Sequence, residues 1–290
     1  MRIHNILFLM AAAGLVLTSC GKLPDSRLIT IEAGIGTMTK VTYITDDAAT
    51  FASGDTLSLY AWVGSASAVP ADRVVDGVVN SFDGTKWTPA FPMLWDDKSS
   101  KHYFLGISPA RMVTNFTADP YTLDPANFAA SDLLIATKLD GLTPISTPVP
   151  LIFSHTMARL DVNLEFRNQW ESAPTVTSVT ATAKTTATVD YLSKTKVVSA
   201  TGSAASVALT AKNNAAWSGL QVPQEGVHTI TIRIDDKDYV FTHSADIPLE
   251  GGKYTTVNLI VGRDKIELAS VITISNWTAG TTISGGEAQD

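Results

Sequence analysis

Histidines and clustered carboxylates are the residues in this sequence whose chemistry could support catalysis or metal binding. The histidines are scattered, without a His-x-x-x-His pair or a cysteine at ligand spacing, so a zinc site has little support. The acidic pairs Asp46-Asp47 and Asp96-Asp97 would point to opposite faces of a strand, and we interpret them as solvated turn residues. A glycosidase pair assembled from distant strands remains open, although nothing singles one out. The histidines are His4, His102, His155, His228 and His243.

Glycine motifs that bind phosphate or present a nucleophile are missing from the sequence. It contains no Gly-x-Ser-x-Gly elbow and no Gly-x-x-x-x-Gly-Lys loop. The short run Gly34-Ile35-Gly36 lacks the third glycine of a dinucleotide loop and precedes no predicted helix. We therefore expect a protein that is not an enzyme, with no catalytic residues, no metal and no cofactor.

The one cysteine, Cys20, has the surroundings of a lipid attachment site. Residues 6–17 are almost wholly apolar, which suits a signal-peptide core and is too short to span a bilayer as a helix. Small residues precede Cys20, a pattern that resembles the lipobox of bacterial lipoproteins, in which the cysteine sulfur carries the lipid. We predict that residues 1–19 are a lipoprotein signal peptide and that Cys20 anchors the chain. The alternative is an ordinary secretory signal with an unrelated cysteine.

Composition limits the class of protein further. The chain has 28 acidic and 21 basic residues, a net charge of −7, and no basic run, so nucleic acid is a poor partner. With one cysteine no intrachain disulfide can form, and stability must come from burial. Hydrophobic residues make up 45% of the chain, enough for real cores. At 290 residues, two domains are the leading expectation.

Apolar residues alternate with polar ones along several segments, as half-buried strands require. Examples are 160–166, 230–234 and 257–261. The charged run 235–238 lies between the second of these and the apolar run 239–241, which indicates a hairpin with a polar turn. That run lacks the glycine and distal glutamate of a calcium loop. No long amphipathic helix is evident, so we predict an all-β fold.

A proline-rich stretch at 143–150 marks the expected domain boundary, because prolines are excluded from central strands. We predict two β-sandwich domains, at 41–147 and 148–290, preceded by the signal peptide and a lipidated propeptide at 20–40.

Six tryptophans could form a sugar-stacking surface, although we favour packing in the core or at strand edges. They are Trp62, Trp87, Trp95, Trp170, Trp217 and Trp277.

Several segments, in this order, resemble the fimbrillin family of Bacteroidales, the Mfa-like and FimA-like type V pilin lipoproteins. The first carries a Phe-x-x-Gly-Asp opening at Phe51, and the most specific is 151–160, at the start of the second predicted domain. A Gly-Gly-Lys-Tyr segment follows at 251–254. The matching segments are 51–61, 87–92, 94–95, 103–105, 108–109, 151–160, 251–259 and 272–277, with Gly280. Together they cover nearly all of the chain after Cys20.

The resemblance implies two transthyretin-like β-sandwiches and a structural role in a fimbria, or pilus. In this family the subunit is exported as a lipoprotein and a protease removes its first strand. An extended strand of another subunit then fills the uncovered groove and links the polymer by β-strand addition.

The sequence offers a candidate for each part of this scheme. Residues 28–33 form a predicted first strand with Ile29, Ile31 and Ala33 on one face. Arg27 before it and Lys40 after it are candidate processing sites, and only cleavage after Lys40 would remove the strand. Lys40 matches the place where the family usually carries arginine, so either the protease accepts lysine or this subunit is not cut.

The candidate donor strand is near the C-terminus, where apolar residues occupy alternate positions. The same pattern suits a last strand of the chain's own second domain, and a two-residue period does not distinguish the two. The donor candidates are Ile266, Leu268, Ile272 and Ile274.

We therefore predict a structural subunit of a surface fimbria, of the stalk, tip or anchor kind, that supports adhesion. Expected partners are other fimbrial subunits by strand addition, the outer membrane through Cys20, and a host or bacterial surface receptor. The alternative is a monomeric surface lipoprotein that binds a glycan or host ligand.

Overall fold

The computed structural model describes residues 27–36, 50–170, 172–195 and 197–277. The predicted signal peptide, Cys20, Lys40 and the last thirteen residues lie outside this part of the chain. Within it the chain is nearly all strand, which confirms the all-β prediction, and its single helix is the short α1, Phe128–Ser131.

The strands follow one another along the whole described chain. They are β1 (Ile31–Ile35), β2 (Thr56–Val63), β3 (Val75–Phe82), β4 (Trp87–Pro89), β5 (His102–Ser108), β6 (Asp119–Thr122), β7 (Leu134–Leu142), β8 (Val149–His155), β9 (Ala158–Phe166), β10 (Val176–Ala183), β11 (Thr186–Val189), β12 (Val198–Thr201), β13 (Ala205–Ala208), β14 (Thr210–Asn213), β15 (Ala216–Gln221), β16 (Thr229–Ile234), β17 (Lys237–Thr242), β18 (Lys253–Val261), β19 (Ile266–Leu268) and β20 (Thr273–Asn276).

These strands form four sheets in the described part of the chain. The seven-stranded sheet has the order β1-β8-β7-β5-β2-β3-β4, and the three-stranded sheet has the order β12-β11-β6. The four-stranded sheet runs β13-β10-β16-β17. The six-stranded sheet runs β14-β15-β9-β18, and both β19 and β20 pair with the free side of β18.

The alternating segments form strands with one buried face, as predicted. In β9, β16 and β18 every second residue is buried, including Leu160, Ile232 and Val257. The predicted hairpin is β16–β17, and its turn is tighter than the charged run suggested, because Lys237 and Asp238 already belong to β17. Asp235 supplies the turn with a positive φ of 50°.

Two hydrophobic cores hold the sheets together. The first core covers one face of the seven-stranded sheet and includes Ile31 of β1, Leu57 of β2 and Phe153 of β8. The second core joins the other face of that sheet to the six-, four- and three-stranded sheets, with Tyr60 and Val257 among its members.

Strand β8 places the sheet boundary later in the chain than the proline-rich stretch suggested. It starts at Val149 and pairs with β1 and β7, so the seven-stranded sheet extends to His155. Pro150 lies inside this strand, contrary to expectation. The odd-numbered residues of β8 form the hydrogen bonds to the first strand. Val149 N–H donates to Thr30 O at 2.8 Å, and Phe153 O accepts from Gly36 N–H. Proline at position 150 therefore removes no donor from that ladder. The division into two domains at 147/148 stays a prediction.

The first half of the chain also contributes a strand to the second half. Strand β6 pairs with β11 in the three-stranded sheet. Beside it, the Asp119 carboxylate accepts hydrogen bonds from the Tyr191 hydroxyl and from Arg111 Nη2, both at 2.8 Å. The Tyr60 hydroxyl of β2 donates to the Arg111 carbonyl and accepts from Val113 N–H. This polar network fastens the seven-stranded sheet to the chain segments around β6 and β11.

Buried tyrosines predict a loss of stability at alkaline pH. Burial raises the pKa of Tyr121 to about 12 and also raises the pKa of Tyr191. Between an ordinary tyrosine pKa of about 10 and these values, the folded state keeps protons that the unfolded chain releases. Each tyrosine should then lower the free energy of unfolding by about 1.4 kcal/mol per pH unit. Urea titrations from pH 8 to pH 11 measure this slope, and Tyr121→Phe should make it shallower. A slope unchanged by that substitution would contradict the assignment.

Candidate functional site

The first described segment, residues 27–36, pairs with two different parts of the chain. Residues 30–36 lie beside β8 in parallel register, from Ile31 opposite Val149 to Ile35 opposite Phe153. Residues 27–29 instead pair with 93–95, through Ile29 N–H to Met93 O at 2.8 Å and Trp95 N–H to Arg27 O at 2.9 Å. The sequence predicted the strand, but it carried no sign of this second pairing, because the 93–95 segment lacks strand periodicity.

Side chains of this segment fill the first core. Ile29, Ile31 and Ile35 are buried and Ala33 is half-buried, whereas Leu28 is exposed. The predicted inward face is therefore confirmed for the two isoleucines and extends to Ile35. Opposite them, β8 contributes Val149, Leu151 and Phe153, none of them more than 1% exposed. β1 is the neighbouring strand of the sheet on one side of these three residues.

Among the described residues, strand β1 lies at the edge of the seven-stranded sheet, with β8 as its one partner strand. Removing it would leave the bonding groups of β8 unpaired and uncover an apolar face. Such an edge accepts another extended strand, with backbone bonds for affinity and alternate pockets for side chains. The site can therefore hold a peptide strand.

The two processing candidates flank this strand in the sequence. Arg27 is exposed, and its carbonyl oxygen bonds to Trp95 N–H. Cleavage after Arg27 would leave β1 in place, because the strand starts four residues later. Lys40 lies outside the described residues, and whether it is cut stays a prediction.

Three of the four donor candidates lie in the chain's own six-stranded sheet, and the fourth lies next to it. Ile266 and Leu268 belong to β19, Ile274 belongs to β20, and Ile272 lies in the connection between them. All four are half-buried. Three of them, Ile266, Leu268 and Ile272, pack against the second core. In this structure the segment completes its own sheet.

The two C-terminal strands do not form one continuous strand. Leu268 pairs with Leu259 and Thr273 with Thr256, so residues 269–272 lie opposite only Val257 and Asn258. The extra length is two residues, which preserves the alternation and keeps the apolar side chains on one face. Val271 in this connection is 80% exposed.

Immediately after β20, the indole of Trp277 is buried in a socket beside the end of β8, and it belongs to the second core. It stacks on His155 with ring centroids 4.2 Å apart, and the Arg159 guanidinium lies 5.4 Å from its centre. Arg159 also lies over Tyr254, at 4.8 Å. The main chain of Trp277 donates to Gly252 O at 2.8 Å. We call this site, formed by His155, Arg159, Gly252 and Tyr254, the Trp277 socket.

The socket depends on a close approach between two turns. Gly252 has φ +70°, and a Cβ there would meet the His155 carbonyl oxygen at 2.9 Å. The His155 ring is in turn held by Asp132, whose Oδ2 lies 2.9 Å from Nδ1. Three motifs that the sequence showed separately, at 151–160, 251–259 and 272–277, thus meet at one point. Their spacing in the chain carried no sign of this contact.

Metal-binding side chains are not clustered in the described residues. No group of three or more His, Cys, Asp or Glu side chains there could hold a metal ion. Asp97 of the predicted turn pair accepts from the N–H groups of Ser99 and Ser100. The Ser100 hydroxyl above all lowers the pKa of Asp97, which suits a turn residue and not a general acid. Over the same residues, no helix has the length and apolar character needed to cross a membrane.

The tryptophans do not form an exposed platform. Trp62, Trp95, Trp217 and Trp277 are buried, and Trp87 and Trp170 are half-buried. The expectation that they pack in the core or at strand edges is confirmed for these six positions.

Structural comparison relates the fold to proteins of the bacterial surface. A candidate cell adhesion protein from Bacteroides uniformis superposes with a TM-score of 0.65 at 16% identity, over 88% of this chain and 100% of the other. A similar protein from Bacteroides ovatus gives 0.66 at 15% identity, over 88% and 99%. The tip fimbrial protein Mfa3 from Porphyromonas gingivalis gives 0.51 at 13% identity, over 78% and 95%.

Sequence comparison agrees with the fold. None of the curated proteins matches the sequence. The sequence profile of the fimbrillin-like family matches residues 39–277, a range that starts after β1 and includes the β8–β9 turn and the Trp277 socket. The chain therefore belongs to the fimbrillin-like family.

Proposed function

We propose that this protein is a structural, non-catalytic subunit of a cell-surface fimbria that supports adhesion and assembles by strand exchange. The observation that carries the proposal is the position of β1. It is an edge strand with buried isoleucines, it has β8 as its single partner strand, and a candidate processing site lies on either side of it. Membership of the fimbrillin-like family and the structural similarity to the tip fimbrial protein Mfa3 support the same role.

In the proposed assembly, a protease cuts after Lys40 and the segment carrying β1 leaves. The apolar face of Val149, Leu151 and Phe153 is then open to water along one edge. An incoming strand would restore the ladder to β8 and cover this face. Because β1 runs parallel to β8, an incoming strand with isoleucines at alternate positions and the same direction reproduces both contacts.

The donor in this proposal is the C-terminal segment that carries Ile266, Leu268, Ile272 and Ile274. Its apolar side chains keep a two-residue alternation, as a groove-filling strand needs. In the monomer the segment must first detach from β18, so exchange replaces one set of strand bonds with another. Before processing, Cys20 would hold the subunit at the outer membrane through its lipid, and cleavage after Lys40 would release it.

The test uses the full chain with Cys20→Ala, treated with a trypsin-like protease under native conditions. We expect cleavage after Lys40, identified by N-terminal sequencing, followed by a ladder of multimers on unboiled gels. The variant Lys40→Ala should be cut after Arg27, keep β1 and stay monomeric. The variant Arg27→Ala is the matched control and should multimerise like the parent.

A protein that is cut after Lys40, loses the segment that carries β1 and still remains a monomer would refute assembly by strand exchange. The result would then favour the rival function, a monomeric surface lipoprotein with a saturable ligand. The burial of the tryptophans removes the observation that had suggested a sugar-binding surface.

A further inference from the structure

The β20 strand is joined to the rest of the molecule by few interactions apart from Trp277. It pairs with β18 over four residues, from Thr273 to Asn276, at the edge of the six-stranded sheet. Thr273 and Asn276 are exposed, and Ile274 and Ser275 are half-buried. Only Trp277, at 6% exposure, is inserted into the fold. The strand is therefore attached by backbone bonds and one aromatic anchor.

The connection before β20 can act as a hinge. Residues 269–272 are two more than the facing part of β18 requires, and Val271 is 80% exposed. The Ser270 hydroxyl accepts one hydrogen bond, from the Asn258 side chain. Ile272 is the residue of this connection that packs against the second core, so β20 can leave with the loss of that contact while β19 stays paired.

The binding surface for β20 does not depend on β20. Strand β18 is paired with β9 along eight residues, from Tyr254 to Val261, on its other side. The Trp277 socket is assembled from the end of β8, from β9, and from the start of β18 with the turn before it, and Asp132 holds its His155 ring. These elements remain joined through the second core when β20 is absent. The edge and the socket together form a preorganised strand-binding site.

We propose that this site, the edge of β18 at 253–256 together with the Trp277 socket, is an exchangeable strand-binding site that is filled here in cis and accepts β20 of a second copy in trans. The occupant is specified by chemistry: an extended strand that ends in tryptophan, whose indole meets the His155 ring and the Arg159 guanidinium. The site is distinct from the β8 edge covered by β1. The inference holds whether or not the chain is processed after Lys40.

A labelled peptide of residues 271–277 tests the proposal in the uncut Cys20→Ala chain by fluorescence anisotropy. The acceptor variant Trp277→Ala should bind the peptide at least about tenfold more tightly than the parent, because its own strand competes less well. A peptide with alanine in place of its tryptophan should bind that variant at least about tenfold more weakly, since aromatic anchors dominate such interfaces. Trp170→Ala, outside the socket, is the matched control and should behave like the parent.

Equal binding by the Trp277→Ala variant and the parent, or equal binding of the two peptides, would overturn the proposal. A second measurement covers the case in which the variant does not fold. In the unaltered chain, hydrogen exchange of Thr273–Asn276 should be at least about tenfold faster than that of β9, which shows opening short of global unfolding. If both strands exchange at the same rate, β20 leaves only when the whole molecule unfolds and the proposal fails. Failure of multimers to form after cleavage at Lys40 would leave these results unaffected.

Discussion

Replacing Phe153 with alanine is expected to lower the free energy of unfolding by about 3–5 kcal/mol. The ring is fully buried in the first core and contacts Phe51 edge to face, with centroids 5.3 Å apart. It also fills the space above Gly106, where a Cβ would lie 2.6 Å from its Cζ atom. Both β1 and β5 border this ring, so the cavity left by alanine cannot close without moving a strand. Urea unfolding of the Cys20→Ala chain, followed by tryptophan fluorescence, measures the loss.

The neighbouring residue provides the matched control. Ile152 is on the same strand, but its side chain points to the other face and is 61% exposed. Ile152→Ala should change the free energy of unfolding by no more than about 0.5 kcal/mol. If the two variants lost equal stability, the assignment of β8 faces would be wrong, and with it the apolar groove proposed to receive a donor strand.

The second large effect is expected at Asp119, whose side chain is 7% exposed. Asp119→Ala should lower the free energy of unfolding by about 3 kcal/mol or more, because it leaves a partly buried cation and a buried hydroxyl without their acceptor. The cation is Arg111 and the hydroxyl is that of Tyr191. Thermal and urea unfolding of the variant measure the loss.

Tyr191→Phe separates the charge from the hydrogen bond, because it removes one donor and leaves the ion pair intact. We expect it to cost about 1–2 kcal/mol. Asp140→Ala removes the carboxylate of an exposed pair with Lys138, 3.6 Å apart, and should cost about 0.5 kcal/mol or less. If Asp119→Ala proved no more harmful than Asp140→Ala, the network would not be what fastens β6 to the seven-stranded sheet.

Much of the fold prediction rested on the alternation of apolar and polar residues along the chain. A period of two residues marks the strands β9, β16 and β18, because each has one face in a core and one face near water. A different rule, that prolines are excluded from central strands, did not hold within β8. Pro150 suggested an interruption, yet its missing N–H faces the side where β8 has no partner at that position. A proline shows where a donor is absent, and only the pairing shows whether a donor was needed.

The C-terminal segment shows a related limit. Its apolar alternation at Ile266, Leu268 and Ile274 predicted one extended strand, whereas the structure has two, β19 and β20, joined by residues 269–272. It was equally compatible with the chain's own sheet and with a neighbour's, because a periodic pattern specifies a face and not the sheet that the face covers. The structure of the monomer places it against β18, and the donor role needs the exchange experiments above.

Properties set by composition and by neighbours along the chain were accessible without coordinates: an all-β fold, the hairpin at β16–β17, the first strand with its buried isoleucines, and membership of a fimbrial family. These depend on local periodicity and on short motifs. Contacts between distant segments were not accessible, such as the pairing of 27–29 with 93–95, the β6 strand in the three-stranded sheet, and the Trp277 socket. They arise from shape complementarity and buried polar pairing between segments that are far apart in the sequence. Such contacts leave no periodic signal in either segment. Tertiary structure alone brought them together.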